Sequence, residues 1–136
     1  MRLLVVLAAV AALAVDADAA RKPTPREKAA VTLAVVMQVP QIEGVPALFL
    51  LKRVVVSTVR PGPGSTFSRF ALAVGSARDQ SGYPVGSRAA LVGFHRRVPG
   101  WVVVDYAPRR VGCRKPQEFF GGRRAAILRD LGIRCR

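Results

Sequence analysis

Two strand-forming runs follow each other closely in residues 88–106, whose sequence is RAALVGFHRRVPGWVVVDY. Two runs rich in apolar, β-branched and aromatic residues, Arg88–His95 and Trp101–Tyr106, lie on either side of Arg96–Gly100. That connecting segment is polar at its start and ends in Pro99-Gly100, which favours a turn. The pattern predicts two antiparallel strands joined as a hairpin.

Two further strands are predicted upstream of the hairpin. Arg53–Val59 is rich in β-branched residues and ends at Arg60–Gly64, a proline- and glycine-rich breaker. Phe67–Val74 alternates, which places three apolar residues on one face: Phe70, Leu72 and Val74. The polar segment Gly75–Gly86 then favours a long turn before the hairpin.

The segment before the sheet predicts a helix. Thr24-Pro25-Arg26-Glu27 is typical of a helix start, because threonine can accept the N3 amide, proline suits N1 and Glu27 can complete a capping box. Apolar residues surround most of the helix up to about Gln38, and Pro40 is expected to end it. A largely buried helix follows from this pattern, with a buried strand at Val31–Val36 as the alternative.

A second, shorter helix is predicted near the end of the chain. Residues Arg123–Leu131 carry an apolar stripe of Ile127, Leu128 and Leu131, and Gly132 stands just past the expected helix end. One helix, about four antiparallel strands and this short helix make a single α+β domain over residues 26–136. Residues 20–25 are expected to form a flexible arm before it.

The first residues have the composition of a signal peptide. A positive start is followed by the apolar run Leu3–Val15, which is shorter than the approximately 20 residues that a membrane-spanning helix needs. Ala17-x-Ala19 then supplies small residues for a peptidase, so residues 1–19 are predicted to be removed after Ala19. The alternative is a buried N-terminal helix. A signal peptide implies a secreted protein. Its mature part is expected to have no transmembrane span, because the longest apolar stretches there, Ala29–Met37 and Val45–Leu51, are too short.

The two cysteines, Cys113 and Cys135, are expected to form a structural disulfide that holds the terminal helix against the sheet. Their spacing does not match the Cys-x-x-Cys arrangement of a redox pair. Two cysteines and a single histidine are also too few for the usual structural zinc sites. No metal or other cofactor is therefore expected.

The net charge of +14 suggests an anionic partner. No block of five or six basic residues occurs, but four doublets follow residue 95, near the hairpin end and the disulfide loop. We predict that they contact anionic ligands: Arg96, Arg97, Arg109, Arg110, Arg114, Lys115, Arg123 and Arg124. A solvated basic surface without a dedicated ligand is the alternative. No sequence-specific nucleic acid partner is expected, because the apolar strand patterns require several of the aromatic residues for the core.

His95 and Asp105 are the one pair that suggests acid–base or nucleophilic catalysis. If residues 97 and 101 are opposed in the hairpin, the His95 and Asp105 side chains lie on one face of the sheet. If residue 101 instead pairs with residue 96 or 98, the two side chains lie on opposite faces. The serines lack the Gly-x-Ser-x-Gly pattern of a nucleophile elbow, and Gly62–Thr66 lacks the lysine of a phosphate loop. A non-enzymatic protein is therefore favoured over a small secreted hydrolase using His95.

Three segments of the C-terminal half form a pattern: Gly100–Asp105, Val111-Gly112-Cys113 with Pro116, and Asp130–Cys135. Over roughly residues 88–135, this pattern resembles that of small exported proteins of high-GC Gram-positive bacteria. It implies a secreted α+β domain with one disulfide and no known activity. A helix followed by a curved antiparallel sheet is also similar to cystatin-like folds, by analogy only.

These observations favour a secreted, basic, non-enzymatic binding or structural module. Its expected partners are anionic polymers of the cell envelope, which would meet the basic residues by counterion release. Besides a binding module and a hydrolase, a third possibility is an inhibitor or partner of another secreted protein. An exposed apolar patch, rather than a basic one, would favour that possibility.

Overall fold

A helix precedes a four-stranded antiparallel sheet, and a short helical segment follows it. The structure, a computed structural model, describes residues 20–43 and 48–136, so the predicted signal peptide at residues 1–19 lies outside it. The elements are α1 (Pro25–Glu43), β1 (Leu48–Val56), β2 (Phe67–Arg78), β3 (Pro84–His95), β4 (Trp101–Ala107), a 3-10 helix (Gln117–Phe120) and α2 (Arg124–Asp130). The predicted α+β class is confirmed.

Helix α1 begins with the capping box that the sequence predicts. The Glu27 amide donates to Thr24 Oγ1 over 3.1 Å, and the Thr24 amide donates to Glu27 Oε1 over 3.0 Å. Pro25 occupies the first helical position, where no amide hydrogen is needed. Just before the helix, in the segment predicted to be a flexible arm, Arg21 pairs with Val56 of β1 through two 2.9 Å backbone bonds.

The predicted end of α1 is wrong, because the helix runs through Pro40 to Glu43. Proline at this position removes the hydrogen bond to the carbonyl of Val36, and its ring crowds that carbonyl. Val36 lies on the exposed side of the helix, where water can replace the lost donor. The residue just before the proline, Val39, is fully buried, so packing on the sheet continues to the last turns.

The prediction of a largely buried helix is also wrong. Only one side of α1 faces the sheet, and its buried residues are Val31, Ala34, Val35 and Val39. The other apolar side chains remain exposed: Leu33, Val36, Met37 and Ile42. A helix that lies on a single layer can bury only one stripe of its surface.

The sheet is a meander in which each strand pairs with the next along the chain, in the order β1-β2-β3-β4. The predicted hairpin is confirmed, with Phe94 opposite Trp101 at its closed end.

Strand β1 starts and ends earlier than the predicted Arg53–Val59. It stops at Val56 because the next two residues, Ser57 and Thr58, turn aside to bind the Asp130 carboxylate with donor–acceptor distances of 2.8 Å.

The long turn predicted at Gly75–Gly86 is mostly strand. Strands β2 and β3 extend through it to Arg78 and from Pro84, which leaves only a short turn between them. Gly75 belongs to the sheet because β1 approaches it closely: a Cβ atom there would overlap the carbonyl oxygen of Leu50. Glycine in this position marks a close backbone approach rather than a break.

Each face of the sheet carries its own apolar core. The helix-side core joins α1 to residues such as Phe49, Val92 and Trp101. The core on the opposite face joins the strands to the C-terminal segment and includes Phe70 and Leu91. The alternation predicted for β2 is confirmed, since Phe70, Leu72 and Val74 all lie on this second face.

The C-terminal segment closes over the second face of the sheet. Helix α2 buries Ile127 and Leu128 there, and the predicted disulfide between Cys113 and Cys135 is present, with the Cα atoms 5.5 Å apart. Gly132 ends the helix in the left-handed conformation, with φ of 80°. The Ile133 amide then donates back to the Leu128 carbonyl over 2.8 Å, as expected of a glycine-terminated helix.

Candidate functional site

The structure separates the basic doublets that the sequence singled out. Arg96 and Arg97 lie at the closed end of the β3–β4 hairpin, and Arg123 with Arg124 lies at the start of α2. The remaining four predicted residues surround a surface next to the disulfide: Arg109, Arg110, Arg114 and Lys115. The eight residues therefore do not line one common surface.

Three of the separated arginines hold loops in place. Arg96 donates from Nε to the carbonyls of Ser65 and Phe67 over 3.0 and 3.1 Å. Arg123 donates to the Arg60 carbonyl over 3.0 Å, and Arg124 donates to the Lys115 carbonyl over 2.6 Å. These guanidinium groups serve the fold, because each one satisfies a backbone carbonyl of a loop.

Eight basic side chains gather around the disulfide on the second face of the sheet. They line two adjoining depressions of about 1180 and 430 Å³, which share Arg109 and Arg110. We call this surface the disulfide-side basic face and define it as Arg53, Arg88, Arg109, Arg110, Arg114, Lys115, Arg134 and Arg136. All except Arg88 and Lys115 are exposed.

One carboxylate, Asp105, lies among the described residues that line the basic face, and it is already occupied. Its Oδ2 accepts the Gly112 amide over 2.7 Å, and its Oδ1 accepts the Tyr106 amide over 2.9 Å. Asp105 thus organises the loop that carries Arg109 and Arg110. Among the residues described, no ion pair involves any of the eight cations.

Four members of the basic face were missed by the sequence analysis: Arg53, Arg88, Arg134 and Arg136. Arg134 and Arg136 flank Cys135, so the predicted disulfide itself could have placed them beside Arg114, which follows Cys113. Arg53 and Arg88 are isolated in sequence and come from β1 and β3. Predicting that these two residues lie on the same face would have required the strand order and register.

The structure does not bring His95 and Asp105 together. Phe94 lies opposite Trp101, and this register alone would put His95 and Asp105 on opposite faces of the sheet. A bulge beyond Val92 shifts the register, so that Asp105 lies on the same face as His95. Asp105 lies opposite Leu91, four positions from His95, which at about 3.3 Å per residue is roughly 13 Å along the strand. Nδ1 of His95 accepts the amides of Arg97 and Val98, each over 3.2 Å, and so organises the hairpin turn.

A groove on the opposite, helix-side face of the sheet was not predicted from the sequence. It has a volume of about 570 Å³ and runs between α1 and the closed end of the β3–β4 hairpin. Phe94 and Trp101 belong to the sheet side of the groove, and Leu33 and Met37 belong to the helix side. We call it the helix-side groove.

Arg69 of β2 lies at the polar end of this groove. Its guanidinium carbon is 4.5 Å from the ring centre of Phe94 and 5.3 Å from that of Trp101. The nearest acid, Glu27, is 3.9 Å from Arg69 but makes two 2.7 Å bonds to Arg21. The hydrogen bonds from Arg21 hold the pKa of Glu27 at about 2, well below its ordinary value, so the carboxylate stays ionised.

Comparison of the chain with protein families, with curated proteins and with solved structures finds no match. None of the helices in residues 20–43 and 48–136 is long and apolar enough to cross a bilayer. Within the same residues, no three potential metal ligands from histidine, cysteine, aspartate and glutamate converge.

Proposed function

We propose that the protein is a secreted, non-enzymatic module that binds anionic polymers of the cell envelope through the disulfide-side basic face. The observation that carries this proposal is the imbalance of charge on that face. Eight cations line it, while the carboxylate beside them, Asp105, is engaged with backbone amides. Such a surface favours a partner that supplies many negative charges.

The residue types support polymer binding rather than general solubility. Seven of the eight cations are arginines, whose planar guanidinium groups match the geometry of phosphate and carboxylate. The two depressions share Arg109 and Arg110 in their linings, so one flexible anionic chain could contact both. Each neutralised charge on the polymer would release a counterion and strengthen binding at low salt.

The proposed location agrees with the covalent chemistry of the chain. Disulfides persist in oxidising compartments, and Cys113 and Cys135 themselves line the proposed binding surface. The predicted signal peptide at residues 1–19 would deliver the protein there. The resemblance to small exported proteins points to the same location.

The proposal is tested by removing the same amount of charge from two different places. One variant replaces Arg109, Arg110, Arg114 and Lys115 of the basic face with glutamine. The matched control replaces Lys22, Arg26, Lys28 and Arg97 with glutamine; these are exposed, and within the described residues their side chains make no hydrogen bond or ion pair. Binding to sodium polyphosphate, polyglutamate and neutral dextran is measured across a salt series.

We expect the basic-face variant to lose most of its affinity for the two anionic polymers. Its slope of log affinity against log salt should fall by roughly 0.7–0.9 for each phosphate contact removed. The control should retain most of the slope, and dextran should bind neither protein. Equal losses in the two variants would contradict the proposal, because affinity would then follow net charge alone.

A further inference from the structure

The helix-side groove has the size and lining of a small-molecule site. Its volume of about 570 Å³ lies within the roughly 300–1,000 Å³ that is usual for such sites. Its apolar helix wall is solvent-exposed: 64% of the Leu33 surface and 61% of the Met37 surface are accessible. Burial of these two large apolar side chains against an apolar ligand would be favourable, because it removes their surface, and that of the aromatic residues beside them, from water.

Two cations, Arg26 and Arg69, and one anion, Glu27, line the groove. Arg69 makes no hydrogen bond with its side chain among the described residues, and its Nε is buried without a partner. The side chain keeps 38% of its surface exposed, so its outer nitrogens can reach a ligand. Arg26 lines the same groove and adds a second positive charge.

Glu27 does not satisfy Arg69. The closest approach of the two side chains is 3.9 Å, beyond hydrogen-bond distance. Both Glu27 oxygens are taken by Arg21 at 2.7 Å, and Oε1 also accepts the Thr24 amide at 3.0 Å. The site therefore offers an apolar channel that ends at a cation held against two aromatic rings, and this cation makes no hydrogen bond to the Glu27 carboxylate 3.9 Å away.

We propose that the helix-side groove binds a small amphipathic carboxylate, with its apolar body between Leu33, Met37 and Trp101 and its carboxylate on Arg69. Apolar burial would supply most of the affinity, and the charge-assisted hydrogen bonds to Arg69 would select a carboxylate over a neutral head group. None of the eight residues of the basic face lines this groove. The inference therefore stands independently of polymer binding.

The chain contains a single tryptophan, and Trp101 lines the groove, so its fluorescence reports occupancy directly. The purified protein with its disulfide intact is titrated with dodecanoate below its micelle concentration, and in parallel with dodecanol and acetate. We expect a saturable change with dodecanoate, at least tenfold weaker binding of dodecanol, and no response to acetate. Equal affinities for dodecanoate and dodecanol would overturn the proposal, and so would the absence of a saturable change.

Substitutions distinguish the contribution of the Arg69 charge to ligand binding from that of the apolar surface of the groove. Arg69→Met keeps an apolar stem over the rings and should weaken dodecanoate about tenfold while leaving dodecanol within twofold. Arg97→Met, at the exposed hairpin turn, is the matched control and should change neither affinity. An unchanged dodecanoate affinity in Arg69→Met would refute the assignment of the carboxylate to that residue.

A third variant keeps the test decisive if Arg69→Met does not fold. Leu33→Asp changes an exposed side chain, so the fold should persist, and it places a carboxylate on the groove wall. It should abolish the fluorescence response to both dodecanoate and dodecanol. A retained response would overturn the proposal, because the ligand would then lie outside the helix-side groove.

Discussion

Glu27 is the residue on which the start of the fold depends most. It caps α1 through Thr24 and neutralises Arg21, whose backbone in turn pairs with Val56 at the edge of β1. One carboxylate thus joins the helix start, the preceding segment and the sheet. The arrangement requires an ionised side chain, because a carboxylate accepts hydrogen bonds from all of these donors at once.

This dependence predicts a pH effect. The hydrogen bonds from Arg21 lower the pKa of Glu27 to about 2, from an ordinary value of 4.5, so ionised Glu27 stabilises the folded state above pH 4.5. As the pH falls from 4.5 to about 2, that stabilisation is progressively lost. Glu27→Gln keeps the capping geometry but removes the charge, so it should be less stable than the unmodified protein at pH 7 and equally stable near pH 2.

The measurement is thermal unfolding of both proteins from pH 2 to pH 7. The informative quantity is the difference in midpoint temperature, because the other carboxyl groups titrate equally in both proteins. A difference that does not change with pH would mean that hydrogen-bond geometry, rather than charge, carries the effect.

At the scale of elements, Gln38 links α1 to the outer edge of β4. Its amide nitrogen donates to the Trp101 carbonyl over 3.2 Å, and its amide oxygen accepts the Val103 amide over 2.8 Å. The side chain thereby occupies backbone groups that would otherwise be open to another strand. Edge strands with open backbone groups are sites of self-association.

Gln38→Ala should therefore destabilise the fold by about 1–2 kcal/mol and promote self-association, because two backbone groups of β4 lose their partner. Hydrogen exchange at the Val103 amide should accelerate, and light scattering should detect larger species on concentration. Gln41→Ala, on an exposed position of the same helix, is the control. Unchanged exchange at Val103 would contradict the role assigned to Gln38.

The disulfide ties the loop after β4 to the residues that follow α2. It closes a segment of 22 residues, for which the chain-entropy model gives roughly 3 kcal/mol of stabilisation. Replacing both cysteines with serine should lower the free energy of urea unfolding by about this amount. Polymer affinity should also fall, because the bond no longer holds together the two segments that carry Arg114 and Arg134. Identical unfolding curves would contradict this prediction.

How far the sequence predicts the elements depends on how local their causes are. The capping box at Thr24–Glu27 and the glycine stop at Gly132 involve neighbouring residues, and both were predicted. The end of β1 was not, because Ser57 is drawn away by Asp130, 73 residues later. The exposure of Leu33 and Met37 was not predicted either, because apolar residues on all sides of a helix do not indicate which side meets the sheet.

The candidate surfaces, too, could be predicted only where their residues lie close together in sequence. Half of the basic face was predicted because its members lie in doublets near Cys113, whereas Arg53 and Arg88 reach it only through strand register. The helix-side groove combines residues from α1, β2, β3 and β4, and no pattern in the sequence joins them.

At the scale of the whole molecule, the two proposed sites lie on opposite faces of one sheet. Arg69 and Trp101 face α1, whereas the basic face surrounds the C-terminal segment. Binding at the two sites should therefore be independent at constant ionic strength. Saturation with polyphosphate should change the dissociation constant of dodecanoate by less than twofold, as measured by Trp101 fluorescence. A larger change would mean that the sites overlap or are coupled.

The meander order of the sheet has a consequence for the rate of folding. Every strand pairs with its neighbour in sequence, so the sheet can form by successive closures between neighbouring segments. The two ends of the chain are held by more distant contacts, between Arg21 and Val56 and between Ser57 and Asp130. We expect the sheet to assemble early and both ends of the chain to dock onto it late, so that variants at these end contacts chiefly accelerate unfolding.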